Sequence, residues 1–327
     1  MAPPSSTSSS RPVPLILSLL LLACTANADH LTVGYYDKTC PGVQDIVRSV
    51  MASRVAADRT MAPALLRLFF HDCFVNGCDA SVLLDATPYS DSEKDAKPNQ
   101  RSLRGFDVVD AIKSRLERAC PATVSCSDIL ALASRDAVAL LGGPSWSVQL
   151  GRKDSRGASR AAAERGLPKA RDGLANLTAA FRKHGLDARD MAALSGAHTI
   201  GVARCRNFRD RVYGEGAAAG NIDPVFAEWR RRTCQSGDDA LAPLDEQTPM
   251  TFDNAYYRDL VAGRGLLTSD QALYGGGRGP LDRLVEMYTT DANAFARDFA
   301  GAMVKMGRIP PPQGMQMEVR LVCNKVN

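Results

Sequence analysis

The chain of 327 residues has little of what marks several common protein classes. Beyond a short run near the N-terminus, no segment approaches the ~20 apolar residues that a transmembrane helix needs, so we expect no membrane partner. The net charge is only +4 and no block of five like charges occurs, which argues against nucleic-acid binding. No C-x-x-C pair is present, so a cysteine zinc site is disfavoured. Histidine is scarce as well, with four in the whole chain.

The N-terminus has the order of a secretory signal peptide. Arg11 precedes an apolar run over residues 15–23, and Ala26-Asn27-Ala28 follows as a cleavage pattern. We therefore expect residues 1–28 to be a signal peptide and residues 29–327 to be a secreted, extracellular domain. Nine cysteines are present and Cys24 lies in the signal, so eight remain, which in an oxidising compartment suggests four disulfides. About 105 pairings of eight cysteines are possible from sequence alone.

Strand signals are weak, and apolar residues recur at helical spacing through most of the chain. This pattern predicts a mainly α fold. Glycine and proline at 142–144 are expected to end one of the helices. The expected helices are 43–61, 65–74, 127–141, 174–184, 188–206, 255–262, 281–289 and 293–306.

The most informative segment is residues 67–81, RLFFHDCFVNGCDAS, because it combines a base, a cation, two thiols and several oxygen donors. Arg67 and His71 are four residues apart and would share one face of a helix. The arginine charge disfavours protonation of His71, which keeps the imidazole usable as a proton acceptor near neutral pH. A packed core does not require this mixture, so the segment indicates acid–base chemistry.

This segment resembles the distal haem motif of the class III secretory plant peroxidases. A second block, ALSGAHTIG at 193–201, is similar to the proximal motif of the same family. The resemblance covers essentially the whole chain after the signal and implies two helical lobes sandwiching one haem b. The distal lobe would be about 29–172 with a tail of about 289–327, and the proximal lobe about 173–288. The implied disulfides are Cys40–Cys120, Cys73–Cys78, Cys126–Cys323 and Cys205–Cys234.

The resemblance implies a monomeric enzyme that reduces hydrogen peroxide and oxidises small phenolic donors in one-electron steps. His71 would be the acid–base catalyst and Arg67 would stabilise charge as the O–O bond breaks. Asn99 would accept a hydrogen bond from the other ring nitrogen of His71 and so fix its tautomer. These three residues would form the catalytic group.

On the other side of the haem, His198 would be the iron ligand. Asp270 would accept from the second ring N–H of His198 and make the imidazole more electron-rich. Phe70 would contribute to haem binding. Pro168 would contact the donor at the haem edge, where the chain departs from the family pattern with Lys-Ala-Arg-Asp at 169–172. Those charges would favour polar or carboxylated phenols.

Two Ca²⁺ ions are also implied by the resemblance, and oxygen donors of the required kind are present. The distal set is Asp72, Val75, Gly77, Asp79 and Ser81, with Glu93 tied in indirectly. The proximal set is Thr199, Asp245, Thr248, Thr251 and Asp253.

Without the resemblance, plainer interpretations remain open for several of these residues. A single histidine on an apolar helix face is more often a core residue, Asn99 could be a turn residue, Glu93 a solvated charge and Asp270 a helix N-cap. His30 and His184 are interpreted as surface residues. Asn176-Leu-Thr178 is a glycosylation sequon. The alternative function is a non-catalytic secreted scaffold that binds haem or another ligand.

Overall fold

Helices dominate the part of the chain that this computed structural model describes, which is Met1, residues 31–214 and residues 221–327. Residues 2–28 of the predicted signal peptide and His30 lie outside the described residues. The helices are α1 (Val43–Ala57), α2 (Met61–Asn76), α3 (Phe106–Ala119), α4 (Cys126–Leu140), α5 (Arg160–Gly166), α6 (Leu174–Lys183), α7 (Ala188–Ser195), α8 (Arg209–Tyr213), α9 (Pro224–Cys234), α10 (Ala255–Val261), α11 (Thr268–Gln271), α12 (Asp282–Thr290) and α13 (Ala292–Met306). The prediction of a mainly α fold is confirmed.

Strands are short and form two separate antiparallel pairs. The strands are β1 (Asp154–Ser155), β2 (Val202–Arg204), β3 (Leu241–Pro243) and β4 (Met317–Glu318). β1 pairs with β4, and β2 pairs with β3. The first pair joins the C-terminal tail to the segment that follows α4, and the second lies just beyond the proximal motif.

Helix boundaries follow local capping. α4 begins where the Ser125 side chain accepts a hydrogen bond from the Asp128 N–H. It ends just before Gly142, which has a φ of 93° that a side chain would strain. The helix predicted over 43–61 ends earlier, at Ala57. The Asp58 carboxylate accepts a hydrogen bond from the Thr60 N–H, and this local bond interrupts the helix between α1 and α2.

The predicted helix over 188–206 is wrong beyond Ser195. The chain turns there into a 3₁₀ segment, Gly196–Thr199, and then into β2. Two glycines permit this path: a Cβ on Gly196 would clash with the Tyr257 hydroxyl, and Gly201 has a φ of 99°. The periodicity of apolar residues could not predict this turn. The positive φ of Gly201 is a property of the backbone, and the close approach of Gly196 to Tyr257 depends on a residue far away in sequence.

The described residues from Leu31 onwards group into one compact unit. α2 packs on α4, and α1 packs on both α3 and α4. α13 packs on α7 and α12, although the predicted tail assignment placed it with the distal lobe. The lobe boundaries themselves stay a prediction. None of the described helices is both long and apolar enough to cross a membrane.

Four disulfides link the described residues, and they are the pairs that the resemblance implies: Cys40–Cys120, Cys73–Cys78, Cys126–Cys323 and Cys205–Cys234. Near Cys323, the tail is held by Arg320, which is fully buried. The Arg320 guanidinium donates to the carbonyls of Ala80 and Cys323. The backbone N–H of Arg320 donates to the Asp154 carboxylate. The tail therefore anchors the loop that follows α2.

Candidate active site

α2 places Arg67 and His71 one turn apart, and a nearby loop holds both side chains. The His71 Nδ1 lies 2.6 Å from the Asn99 Oδ1. Arg67 donates to the Pro98 and Ser102 carbonyls, both at 3.0 Å. The structure thus brings together the three residues predicted to be catalytic, and it adds Ser102, whose place in sequence carries no signal.

The hydrogen bonds of Asn99 define the state of the His71 ring. The Asn99 Nδ2 donates to the Glu93 carbonyl at 2.8 Å, so its Oδ1 faces His71 as an acceptor. The His71 Nδ1 must then carry the proton, which leaves Nε2 free to accept one. Burial lowers the pKa of His71 well below its usual value, and the Arg67 charge lowers it further. The imidazole is therefore neutral, with its proton on Nδ1 and with Nε2 free to accept a proton.

Arg67 keeps its charge beside this neutral ring. Burial, with a smaller contribution from the nearby Arg204 charge, lowers the pKa of Arg67 to about 10. That value still leaves the guanidinium protonated at neutral pH. Arg204 donates to the Arg101 carbonyl and so holds the same loop from the β2 side.

His198 lies in the 3₁₀ turn after α7, and its Nδ1 is 2.7 Å from the Asp270 Oδ1. Tyr256 donates to the same oxygen at 3.1 Å. The other oxygen of Asp270 accepts from the Leu267 N–H at 2.9 Å, at the start of α11. Asp270 is therefore not the N-cap of α11, which is Leu267; it is the third residue of the helix, and its carboxylate both accepts from the N-cap N–H and orients His198. Sequence reasoning missed Tyr256, because nothing near it marks a partner for Asp270.

The two histidines offer the donor set that a haem with a single protein axial ligand requires. Each ring has Nδ1 engaged by a fixed acceptor, so each Nε2 is available. The His198 side chain is 37% exposed, whereas His71 is buried. Phe70, half-buried, packs 5.6 Å from the His71 ring and 4.3 Å from the Phe74 ring. These residues fit the group that the resemblance implies.

The distal calcium set contains buried oxygens that lack partners in the described part of the chain. They are Asp72 Oδ1, Asp79 Oδ2, Ser81 Oγ and Glu93 Oε2. Burial raises the pKa of Asp72 well above its usual value, and the neighbouring Asp79 charge adds to the effect. Burial likewise raises the pKa of Asp79 to about 6. Unpaired buried carboxylate and hydroxyl oxygens fit a hard cation.

Carboxylates alone do not complete this site. Among the described residues, no three His, Cys, Asp or Glu side chains come together as a possible metal-binding group. Ser81 and the main-chain oxygens of Val75 and Gly77 would have to supply the remaining ligands. Gly77 is suited to such a loop, since it has a φ of 85° and a Cβ there would lie 2.4 Å from the Pro310 carbonyl oxygen.

The proximal calcium set is also brought together, but it is more fully hydrogen-bonded. The Thr199 hydroxyl donates to Asp245 at 2.8 Å and lies 3.4 Å from the Asp253 Oδ1. Thr248 Oγ1 is buried without a partner among the described residues. The Thr251 N–H donates to the Thr248 carbonyl and closes the turn. One unpartnered oxygen is a weaker fit than the four of the distal set.

Pro168 follows α5, and the four residues after it form a braced turn. The Lys169 N–H donates to the Asp172 carboxylate at 2.8 Å. Arg171 forms an ion pair with Asp210 at 3.0 Å. The Ala170 carbonyl accepts from the N–H of the residue before Asp270, at 3.0 Å. The segment 169–172, which departs from the family pattern, is therefore hydrogen-bonded to α11, the helix that contains Asp270.

The interpretation of His184 as a surface residue is wrong. Its ring is half-buried and lies 4.6 Å from the Phe74 ring, which packs it against α2. Burial lowers its pKa below the usual value for histidine. Periodicity could not reveal this contact, because His184 follows the end of α6. Asn176, the sequon residue, is exposed on α6.

Comparisons with known proteins identify the family of the chain. A family model described as Peroxidase matches residues 47–291. Peroxidase 4 of Vitis vinifera is 50% identical over 319 residues, which is 96% of this chain and 98% of that protein. The lignin-forming anionic peroxidase of Nicotiana sylvestris is 50% identical over 323 residues, covering 98% and 99%. Peroxidase P7 of Brassica rapa subsp. rapa is 50% identical over 302 residues, covering 91% and 100%.

Proposed function

The chain belongs to the class III plant peroxidases and is a haem peroxidase acting on hydrogen peroxide, and on this premise we propose that His71 and His198 carry its chemistry. The observation that supports this assignment most is the matched pair of side-chain contacts. Asn99 engages the Nδ1 of His71, and Asp270 engages the Nδ1 of His198. Both imidazoles thereby present Nε2, one as a base and one as a ligand.

When bound, haem would supply the iron that binds hydrogen peroxide and holds the oxidising equivalents. His71 Nε2 would take the proton from one peroxide oxygen and return it to the other, which leaves as water. The Arg67 guanidinium, fixed by the loop at 98–102, would stabilise the negative charge that develops on the leaving oxygen. Asn99 would keep the other ring proton on Nδ1, so that Nε2 is unprotonated when peroxide arrives.

His198 would bind one haem b, with Phe70 packing nearby. The Asp270 carboxylate would draw the Nδ1 proton of His198 towards itself and raise the basicity of the iron ligand. Two Ca²⁺ ions would brace these histidines, because Asp72 follows His71 directly and Thr199 follows His198 directly. The distal site has the stronger support, since four of its buried oxygens have no hydrogen-bond partner among the described residues.

The substrates would be hydrogen peroxide and small phenols, oxidised one electron at a time near Pro168. The N-terminal signal pattern supports secretion to an extracellular compartment, the apoplast or cell wall. The family resemblance supports a monomer, and the mild, dispersed charge argues against a nucleic-acid partner. The relatives that match along nearly the whole chain are peroxidases by name, so a non-catalytic scaffold is not favoured.

An absorption spectrum of the purified holoprotein tests the proposal directly. We expect a Soret band that shifts when one equivalent of hydrogen peroxide is added and returns when a phenol is supplied. A Soret band that stays unchanged with peroxide would instead support the scaffold. Metal analysis of the same sample should find iron and calcium together.

The braced turn after Pro168 refines the expected donor preference. Because Asp172 caps the turn and Arg171 is paired, Lys169 is the exposed cation left to attract anionic donors. Lys169→Gln should lower the ratio of kcat/KM for a carboxylated phenol over a neutral phenol by about two- to fivefold, since an exposed charge pair is worth up to about 1 kcal/mol. The effect should shrink as salt is added.

A matched control for Lys169→Gln is the double variant Arg171→Gln with Asp210→Asn. It removes a compensated ion pair from the same turn, so the donor ratio should hardly change. If Lys169→Gln leaves the ratio unchanged while the reaction with peroxide is intact, this turn does not select donors.

A further inference from the structure

Three tyrosines form a series behind His198. The Tyr256 ring centre is 6.2 Å from that of His198, Tyr257 is 5.1 Å from Tyr256, and Tyr288 is 4.8 Å from Tyr257. All three residues are fully buried. The series arises because α10 carries two consecutive tyrosines and packs on α12, which carries the third.

The three phenols differ in what accepts their hydrogen bonds. Tyr257 donates to the Ala192 carbonyl at 2.9 Å, and a carbonyl does not take up a proton. Tyr256 donates to Asp270, which is already engaged by His198 and by the start of α11. Tyr288 alone donates to a carboxylate away from the iron ligand, Asp298, at 2.6 Å.

Asp298 connects Tyr288 to solvent. Its side chain is 24% exposed and pairs with Arg189 at 2.9 Å, which is itself 59% exposed. A proton received by Asp298 can therefore leave to water. A tyrosine oxidised without losing its proton would become a buried cation, which is costly in a dry core. Of the three, Tyr288 is the one at which oxidation can be coupled to proton loss.

We propose that Tyr256, Tyr257 and Tyr288 form a path along which an oxidising equivalent leaves the haem side of His198 and comes to rest on Tyr288. The step rests on the proposed function, because hydrogen peroxide reduced at the haem supplies the oxidant. One electron passes from Tyr288 through the series to the oxidised haem centre. The phenolic proton moves from Tyr288 Oη to Asp298 Oδ2, and a neutral tyrosyl radical remains.

The surroundings end the path at Tyr288. Beyond the series, the ring that contacts both Tyr257 and Tyr288 is Phe295, and Phe295 contacts Phe252 and Phe299. Phenylalanine is much harder to oxidise than tyrosine, so the equivalent does not move on through these rings. In the described part of the chain, no ring contact joins the exposed Tyr89, Tyr213 or Trp229 to the series. When no phenolic donor is present, the oxidising equivalent therefore stays on Tyr288.

Freeze-quench electron paramagnetic resonance of the holoprotein tests this path. The protein, grown with and without ring-deuterated tyrosine, is mixed with one equivalent of hydrogen peroxide in the absence of donor. We expect a tyrosyl signal whose hyperfine pattern changes with deuteration. Tyr288→Phe should lose most of that signal, and Asp298→Asn should reduce it, while the peroxide-induced Soret change stays complete in both.

Tyr89→Phe is the matched control, because Tyr89 is 97% exposed and lies outside the series. It should leave the signal unchanged. Two results would overturn the path but not the proposed function. The first is a complete Soret change in the wild type without a tyrosyl radical. The second is a complete Soret change in both Tyr288→Phe and Asp298→Asn with an undiminished radical. Absence of any Soret change would overturn the proposed function and the path with it.

Discussion

His71→Ala is expected to slow the reaction of the haem protein with hydrogen peroxide by about 10²–10⁴-fold, the contribution of a positioned general acid–base group. The variant removes the proton acceptor but leaves the His198–Asp270 contact in place, so haem should remain bound. Stopped-flow absorption at the Soret band measures the rate constant directly. Arg67→Leu should cost less, since the proton transfers survive.

His184→Ala is the matched control for this prediction. Its half-buried ring also contacts an aromatic residue of α2, but it is His71 and not His184 that is hydrogen-bonded to Asn99. It should lower stability modestly and leave the peroxide rate constant near that of wild type. If His71→Ala reacts at the wild-type rate, His71 is not the acid–base group.

The same rate constant should have a distinctive pH profile. Because burial and the Arg67 charge lower the pKa of His71, the base should stay active as the pH falls through ~6.5, where an ordinary histidine protonates. Below that pH the unfolded chain binds a proton that the folded site does not. The free energy of unfolding should therefore decrease as the pH falls from ~6.5 towards the lowered pKa.

The catalytic segment could be predicted from sequence because its chemistry is local. Arg67 and His71 are one turn apart on α2, so their shared face follows from helical spacing alone. The partners of the two histidines could not be predicted in this way, because they are distant in sequence. The Asn99 contact spans 28 positions and the Asp270 contact spans 72, and only the resemblance identified those partners.

Other features depend on packing that no local pattern encodes. The helix expected over 188–206 stops at Ser195, and the next residue, Gly196, passes too close to Tyr257 of α10 for any side chain to fit. Arg320 reaches back 240 positions to the Ala80 carbonyl and brings its charge near the distal carboxylates. Periodicity predicts which faces are apolar, but it does not predict which buried polar groups meet.

Removal of calcium is expected to lower activity and thermal stability together. A site with free Ca²⁺ at about 100 times its dissociation constant adds about 2.7 kcal/mol to the free energy of unfolding, and chelation removes that amount. Activity should fall with it through a chain of contacts, since the buried Glu93 carbonyl holds Asn99 and Asn99 holds His71. Thermal melts and peroxide rate constants before and after chelation measure both effects.

Asp79→Asn separates the metal from the fold. Asparagine can keep the Oδ1 acceptor for the Ser81 N–H, but it removes a ligand charge. We expect the variant to bind less calcium and to lose most of the calcium-dependent rise in Tm. Without calcium it should be at least as stable as wild type at neutral pH, because a buried carboxylate has been neutralised. Asp85→Asn, on an exposed neighbouring carboxylate, is the control and should keep its calcium.

Protons should compete with calcium in wild type. Without metal, burial raises the pKa of Asp79 to about 6, above its value of ~3.9 in the unfolded chain. The folded metal-free protein therefore binds more protons than the unfolded chain between these values, and its stability decreases as the pH rises through about 6. Calcium must displace those protons, so its stabilising effect should be larger at pH 7 than at pH 5. A calcium-dependent Tm shift that is equal at both pH values, or active protein that contains no calcium, would show that these carboxylates do not hold the ion.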